Sequence, residues 1–219
     1  MVMFGNKKNV FWEAFLIACV IFILGLLIGV FVESDRLQQI NDYYSQAQVS
    51  LMDSMAMSNS LSNSTNCAIM INSSINFADS IYNQALLLEK YEDSGKISNS
   101  MIIAHSEYDL LRTVLWQNLI TMKSKCSNQF NFIIYLYQYN PSNLNQKAMQ
   151  SVWSNILADM KQKEGNNVIL VPISVSSNLS SLNLLTSNFN ITSYPAVVIN
   201  DKTTLYKLQS VNDIKKYLA

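Results

Sequence analysis

Three textures of hydrophobic and polar positions follow one another along the chain. The first is an uncharged apolar run at residues 14–32, AFLIACVIFILGLLIGVFV. Its 19 residues, wound as a helix, are long enough to cross a bilayer. The second texture fills residues 34–127 and repeats apolar positions every three or four residues, the period of a helix with one buried stripe. Leu37, Ile40, Tyr44, Ala47, Leu51 and Met55 form the first such stripe, and no Gly or Pro separates it from residue 31. The apolar helix is therefore expected to continue into a stalk, which the Ser- and Asn-rich residues 58–65 end. Cys67, Ile71, Ile75, Ala78, Tyr82 and Ala85 mark a second helix. Met101, Ala104, Tyr108, Leu111, Leu115, Met122 and Cys126 mark a third. Between them Asp93-Ser94-Gly95-Lys96-Ile97-Ser98 is a loop signal, so the two helices form an antiparallel hairpin.

The third texture is mixed. Residues 130–139, FNFIIYLYQY, are aromatic and β-branched and predict a buried strand. Pro141-Ser142-Asn143 opens a helix to about Lys163, with Ala148, Val152, Trp153, Ile156 and Met160 as its apolar positions, and Gly165-Asn166-Asn167 ends it. Residues 168–175, VILVPISV, are almost continuously apolar, which predicts a central, parallel strand. Pro172 within it marks a bulge or an end. A short helix at 179–187, a strand at 196–199, a turn at Asn200-Asp201-Lys202, a strand at 203–207 and a helix at 211–218 complete the order β-α-β-α-β-β-α. The expected class is α/β, divided into an anchor (1–33), a helical stalk and hairpin (34–127) and an α/β domain (128–219).

Charge orients the anchor. Lys7 and Lys8 flank its N-terminal side, whereas Glu33 and Asp35 offset Arg36 on the other, which places the N-terminus in the cytoplasm and the rest outside. No small-x-small cleavage site follows the run, so it reads as an uncleaved anchor rather than a signal peptide. Phe11 and Trp12 lie at the inner interface, with Glu13 beside them. Gly25 and Gly29 form a GxxxG pattern that would let two copies pack as a homodimer; the plainer reading is that Gly is common in membrane helices. Cys19 reads as a small packing residue. Formal net charge is zero, charged residues are 14% of the chain and basic residues are scattered, so no nucleic-acid partner is expected.

Candidate chemistry is sparse. Cys67 and Cys126 stand at equal distances from Lys96–Ile97, each on the inward stripe of its own helix. A hairpin brings them together as a structural disulfide, which implies an oxidising compartment; the alternative is two buried free thiols. Two Cys without a nearby His cannot complete a metal site. His105 is the only histidine, lacks a partner for a triad and reads as partly exposed and non-catalytic. Glu89, Lys90, Glu92, Glu107, Asp109 and Arg112 read as solvated helix faces. No cofactor is expected. Asn-x-Ser/Thr sequons make Asn63, Asn72 and Asn178 glycosylation candidates, while Asn190, near the Tyr194-Pro195 loop, is expected to stay unmodified.

The segment Phe189-Asn190-Ile191-Thr192-Ser193-Tyr194-Pro195-Ala196-Val197-Val198-Ile199, together with the element order, resembles the thioredoxin-like superfamily over residues 130–219. The resemblance implies a thioredoxin-like fold, a cis Pro195 and a Tyr194 backbone facing a groove. It also implies a Cys-x-x-Cys at the start of the first helix, where this chain has Tyr139-Asn140-Pro141-Ser142-Asn143-Leu144-Asn145. Without a thiolate at that helix N-terminus, dithiol exchange is excluded there. Tyr139, Asn140, Ser142, Tyr194 and Pro195 would then line a groove for an extended peptide, or the fold is architectural only. The whole chain resembles single-pass, thioredoxin-like membrane proteins of small-genome archaea through FWEA…FILGLLIGV, Ile40-Asn41-Asp42-Tyr43-Tyr44, Leu86-Leu87-Leu88-Glu89-Lys90-Tyr91-Glu92 and the Tyr-Pro module. The expected function is a non-catalytic, membrane-tethered extracytoplasmic scaffold or binding module whose partner is an envelope protein or extended peptide. The alternative is an accessory subunit or redox factor that uses the Cys67–Cys126 pair in an envelope assembly.

Overall fold

A computed structural model describes residues 7–60, 67–93, 99–126 and 130–218. By its internal contacts the chain divides into two units, Met1–Asp42 and Tyr43–Ala219. Helix α1 spans Lys7–Ser60. In the first unit its residues Val10–Asp35 are long and apolar enough to cross a membrane, and none of that window is buried. No Gly or Pro interrupts the helix except Gly25 and Gly29, where an added Cβ would meet nothing within 4 Å.

In the second unit the last turns of α1 bury Ala47 and Leu51. The unit continues with α2 (Cys67–Asp93), α3 (Asn99–Lys125), β1 (Asn131–Tyr137), α4 (Leu144–Glu164), β2 (Val168–Ser174), α5 (Ser180–Asn188), β3 (Ala196–Ile199), β4 (Thr203–Leu205) and α6 (Val211–Lys215). The expected hairpin loop at 94–98 lies outside the described residues. The expected boundary at 127/128 falls inside this unit.

The sheet runs in the order β2-β1-β3-β4, with β1 and β2 parallel and β3 antiparallel to both β1 and β4. Alternation assigns β1 to two layers. Ile133 and Tyr135 pack with Trp153, Leu157 and Met160 of α4 and Ile214 of α6. Phe132, Ile134 and Leu136 point to the opposite face, where α3 and α5 lie against each other. A strand covered on both sides is apolar along most of its length, as residues 132–136 are; the buried polar residue at its start, Asn131, accepts from the Asn200 side chain. Phe132 N–H donates to the Asn200 side chain at 3.0 Å and Asn200 N–H donates to the Phe132 carbonyl, which fixes the turn after β3. There Asn200 and Asp201 adopt φ 51° and 54°, the pair of left-handed residues a tight hairpin needs. The Tyr194–Pro195 peptide is cis.

Several expectations are corrected. β2 is parallel but lies at an edge of the sheet, not its centre. Its apolarity comes from α2 and α3, whose Ala78, Ile81, Arg112 and Leu115 meet Leu170, Val171 and Pro172. Pro172 makes no bulge, because the register with β1 is unbroken from Asn131↔Val168 to Tyr137↔Ser174; an edge strand tolerates the missing N–H. Tyr82 is exposed; the buried face of α2 keeps the expected Cys67, Ile75 and Ala78 and adds Met70, Ser74, Phe77 and Ile81. Ala148 and Val152 are likewise exposed, because α4 turns Gln150, Trp153, Leu157 and Met160 to the sheet.

Candidate functional site

The connection from β1 to α4 is the end of the sheet where the resemblance places chemistry. Asn140 adopts φ 44°, which redirects the chain after the strand. Asn143 then caps α4, its Oδ1 accepting from the N–H groups of Asn145 (2.9 Å) and Gln146 (3.2 Å). Three glutamines lace this loop. Gln138 N–H donates to Gln150 Oε1 at 2.9 Å, and Gln150 Nε2 donates back to the Gln138 carbonyl at 2.9 Å. Gln146 Nε2 donates to Gln138 Oε1 at 2.8 Å and to the Tyr194 carbonyl at 3.3 Å. The backbone acceptor before Pro195 is thus already engaged by a side chain of this chain.

The five residues of the expected groove have separate surroundings. Tyr194 is half-buried beside Gln146, Pro195 is buried, and Asn140 and Ser142 are exposed. Tyr139 instead joins the opposite partners: its N–H donates to Ser176 Oγ at 3.0 Å, and its ring lies 4.7 Å from that of His105. His105 is half-buried.

Four residues along α3 from His105 stands the most unusual polar group in the molecule. Asp109 is 2% exposed and Arg112 5%, so neither belongs to a solvated face. The reason is that α3 packs against both α2 and the sheet, which leaves it little wet surface. Asp109 Oδ1 accepts from Ser174 N–H at 3.0 Å, Oδ2 accepts from Ser177 Oγ, and Arg112 Nη1 lies 3.6 Å away. Burial pushes the Asp109 carboxyl up, while Arg112, the two serine donors and His105 pull it down. The carboxylate thereby ties the middle of α3 to the end of β2.

A second tie lies further along α3. Trp116 is fully buried; its Nε1–H donates to Asp201 Oδ1 at 3.0 Å and its ring stacks on Phe189 at 5.3 Å. Burial pushes the Asp201 carboxyl up to about 6, against the opposing pull of Trp116 and Lys123. Lys123 donates to the Phe130 carbonyl and lies 5.2 Å from the centre of that residue's ring.

The Sγ atoms of Cys67 and Cys126 are 2.02 Å apart, at disulfide distance, with both residues buried. Among the described residues no group of three His, Cys, Asp or Glu could hold a metal. The Asp109 hub, the glutamine lacing and the Trp116–Asp201 pair were not legible from the sequence, because each joins positions far apart in the chain by side chains that are ordinary on a surface. No protein-family model and no curated protein sequence matches the chain.

Proposed function

We propose that this chain is a non-enzymatic, membrane-tethered scaffold, with its second unit outside the membrane and a thioredoxin-like fold that has no thiol chemistry. The order β-α-β-α-β-β-α and the apolar residues Val10–Asp35 support the fold and the anchor. Lys7 and Lys8 before the anchor support the outward orientation. A disulfide-distance cysteine pair accords with an oxidising compartment.

The observation that carries the non-catalytic reading is the construction of the β1–α4 loop. Where a nucleophilic thiolate would stand, Asn143 caps the helix through its own side chain, and Gln146 holds the carbonyl of Tyr194. A helix N-terminus so capped presents an amide instead of a nucleophile. A partner docks near this loop, an envelope protein instead of a small substrate. An extended peptide would have to share or displace the Gln146 contact.

Site-specific photocrosslinking in native membranes tests this. A photoreactive residue at Leu144, 80% exposed at the start of α4, should yield one discrete adduct; one at Gln162, exposed near the other end of α4, should yield none. Equal or absent labelling at both sinks the docking assignment. Turnover of a disulfide substrate by the purified full chain sinks the non-enzymatic one.

A further inference from the structure

The sequons are sorted by the fold in a way their motifs do not reveal. Asn63 lies outside the described residues. Asn72 is exposed, but the hydroxyl that completes its sequon belongs to Ser74, which is 0% exposed and faces Met122 Sδ at 3.8 Å. Both residues sit within α2. Asn178 is exposed at φ 49° and so is its sequon Ser180, but Asn178 Oδ1 accepts from Asn183 Nδ2 at 3.1 Å and Ser180 is held as the first residue of α5. Asn190 shares the exposure and left-handed backbone of Asn178 but differs from both in that neither sequon residue belongs to a helix. It is exposed at φ 52°, and its side chain has no hydrogen-bond partner among the described residues. Thr192 is also exposed, and residues 190–192 lie outside helix and strand. The backbone is held from below: Ile191 N–H donates to the Thr186 carbonyl at 2.9 Å, and Tyr206 Oη donates to the Asn190 carbonyl at 3.5 Å.

We propose that Asn190 is an N-glycosylation site of the folded protein, which reverses the expectation from sequence and rests on the outward orientation of the second unit. Transfer to an asparagine requires that the side-chain amide and the hydroxyl two residues on be presented together. Here both are, on a turn that can enter an enzyme's cleft without unfolding. In the step, the Asn190 Nδ2 forms a bond to the anomeric carbon of a lipid-diphosphate-linked oligosaccharide. The bond from that carbon to the phosphate oxygen breaks, the lipid diphosphate departs with the electron pair, and the amide gives up one proton to solvent through the transferase. No oxidant or reductant is involved.

The full chain, taken from its native membranes, is mapped by glycopeptide mass spectrometry. A glycan on Asn190 that disappears in Thr192→Val is the expected result. An unmodified Asn190 overturns the proposal, and protease accessibility of the second unit in sealed vesicles separates the causes. A domain on the outer face leaves the orientation intact, whereas one on the inner face removes both. In a second arm the purified full chain is given an oligosaccharyltransferase and its lipid-linked oligosaccharide. Asn72 should react at least about tenfold more slowly than Asn190, because α2 must open locally before Ser74 is reached. Equal rates would mean that the fold does not select the site, and would overturn the proposal.

Discussion

Helices α3 and α4 depart from the rule of apolar residues inside to different degrees. α3 buries four polar residues, Asp109, Arg112, Thr113 and Asn118, and exposes Ile102, Ile103 and Leu110 near its start and middle, whereas α4 buries Gln150 and leaves Leu144 80%, Met149 38% and Val152 44% exposed. The cause is the number of neighbours. α3 meets α2 on one side and β2 and α5 on others, so polar residues are carried inside and must find partners there. α4 covers one face of the sheet only, and its outer stripe faces solvent whatever its composition. A hydropathy pattern describes a helix as though it had one wet face and one dry face; neither helix meets that description.

Four experiments sharpen this contrast. The largest effect is expected on α3. Asp109→Ala strands the buried Arg112 guanidinium and leaves Ser174 N–H without its acceptor, and should cost about 3–5 kcal/mol in denaturant unfolding. Adding Arg112→Met should recover part of the loss; strict additivity would show that the two do not act as a pair. Opening the cysteine pair by Cys67→Ser with Cys126→Ser frees a loop of 59 residues' separation, and chain entropy puts the loss at about 4 kcal/mol. A loss below about 1 kcal/mol would mean that the packing of α2 on α3 holds the helices without it.

The third concerns Asp201, at the other tie. Its carboxyl rises from the ordinary 3.8 to about 6, so the native state holds its proton more tightly than the unfolded chain. That contribution to stability is full below 3.8 and is lost as pH climbs to about 6. Asp201→Asn keeps an acceptor for Trp116 and should flatten part of the fall in melting temperature across that window. The carboxyls of Asp109 and Glu107, pushed up in the same direction by burial, contribute to the rest of the fall. An unaltered curve would mean that Trp116 and Lys123 already hold Asp201 ionised. The smallest effect belongs to α4. Leu144→Gln and Val152→Gln should change stability by no more than about 0.5 kcal/mol, as for surface positions generally. A larger loss would place that stripe in a core.

How much could be read beforehand follows the same logic. The β-strands were legible because β1, β2 and β3 are apolar runs bounded by Gly, Pro and Asn signals, and the Asn200-Asp201 turn announced itself by residue type. The cysteine pair was legible from symmetry about a loop. The edge position of β2 was hidden, because helices on its flank impose the same apolarity as a neighbouring strand. Asp109 and Arg112, three residues apart on a helix, have the spacing of an exposed ion pair; only Ser174 and Ser177, 65 and 68 residues further on, reveal that the pair is internal. The glutamine lacing was likewise invisible, since Gln138, Gln146 and Gln150 carry no periodic signal.

Pro172 and the helices beside β2 also bear on how copies of the protein meet. One margin of the sheet is roofed and lacks an amide hydrogen at its middle; the other, β4, is only Thr203–Leu205. Three residues are too few to template a neighbour's strand. Neither margin therefore offers a long, open row of backbone groups on which a second copy could add its own strand.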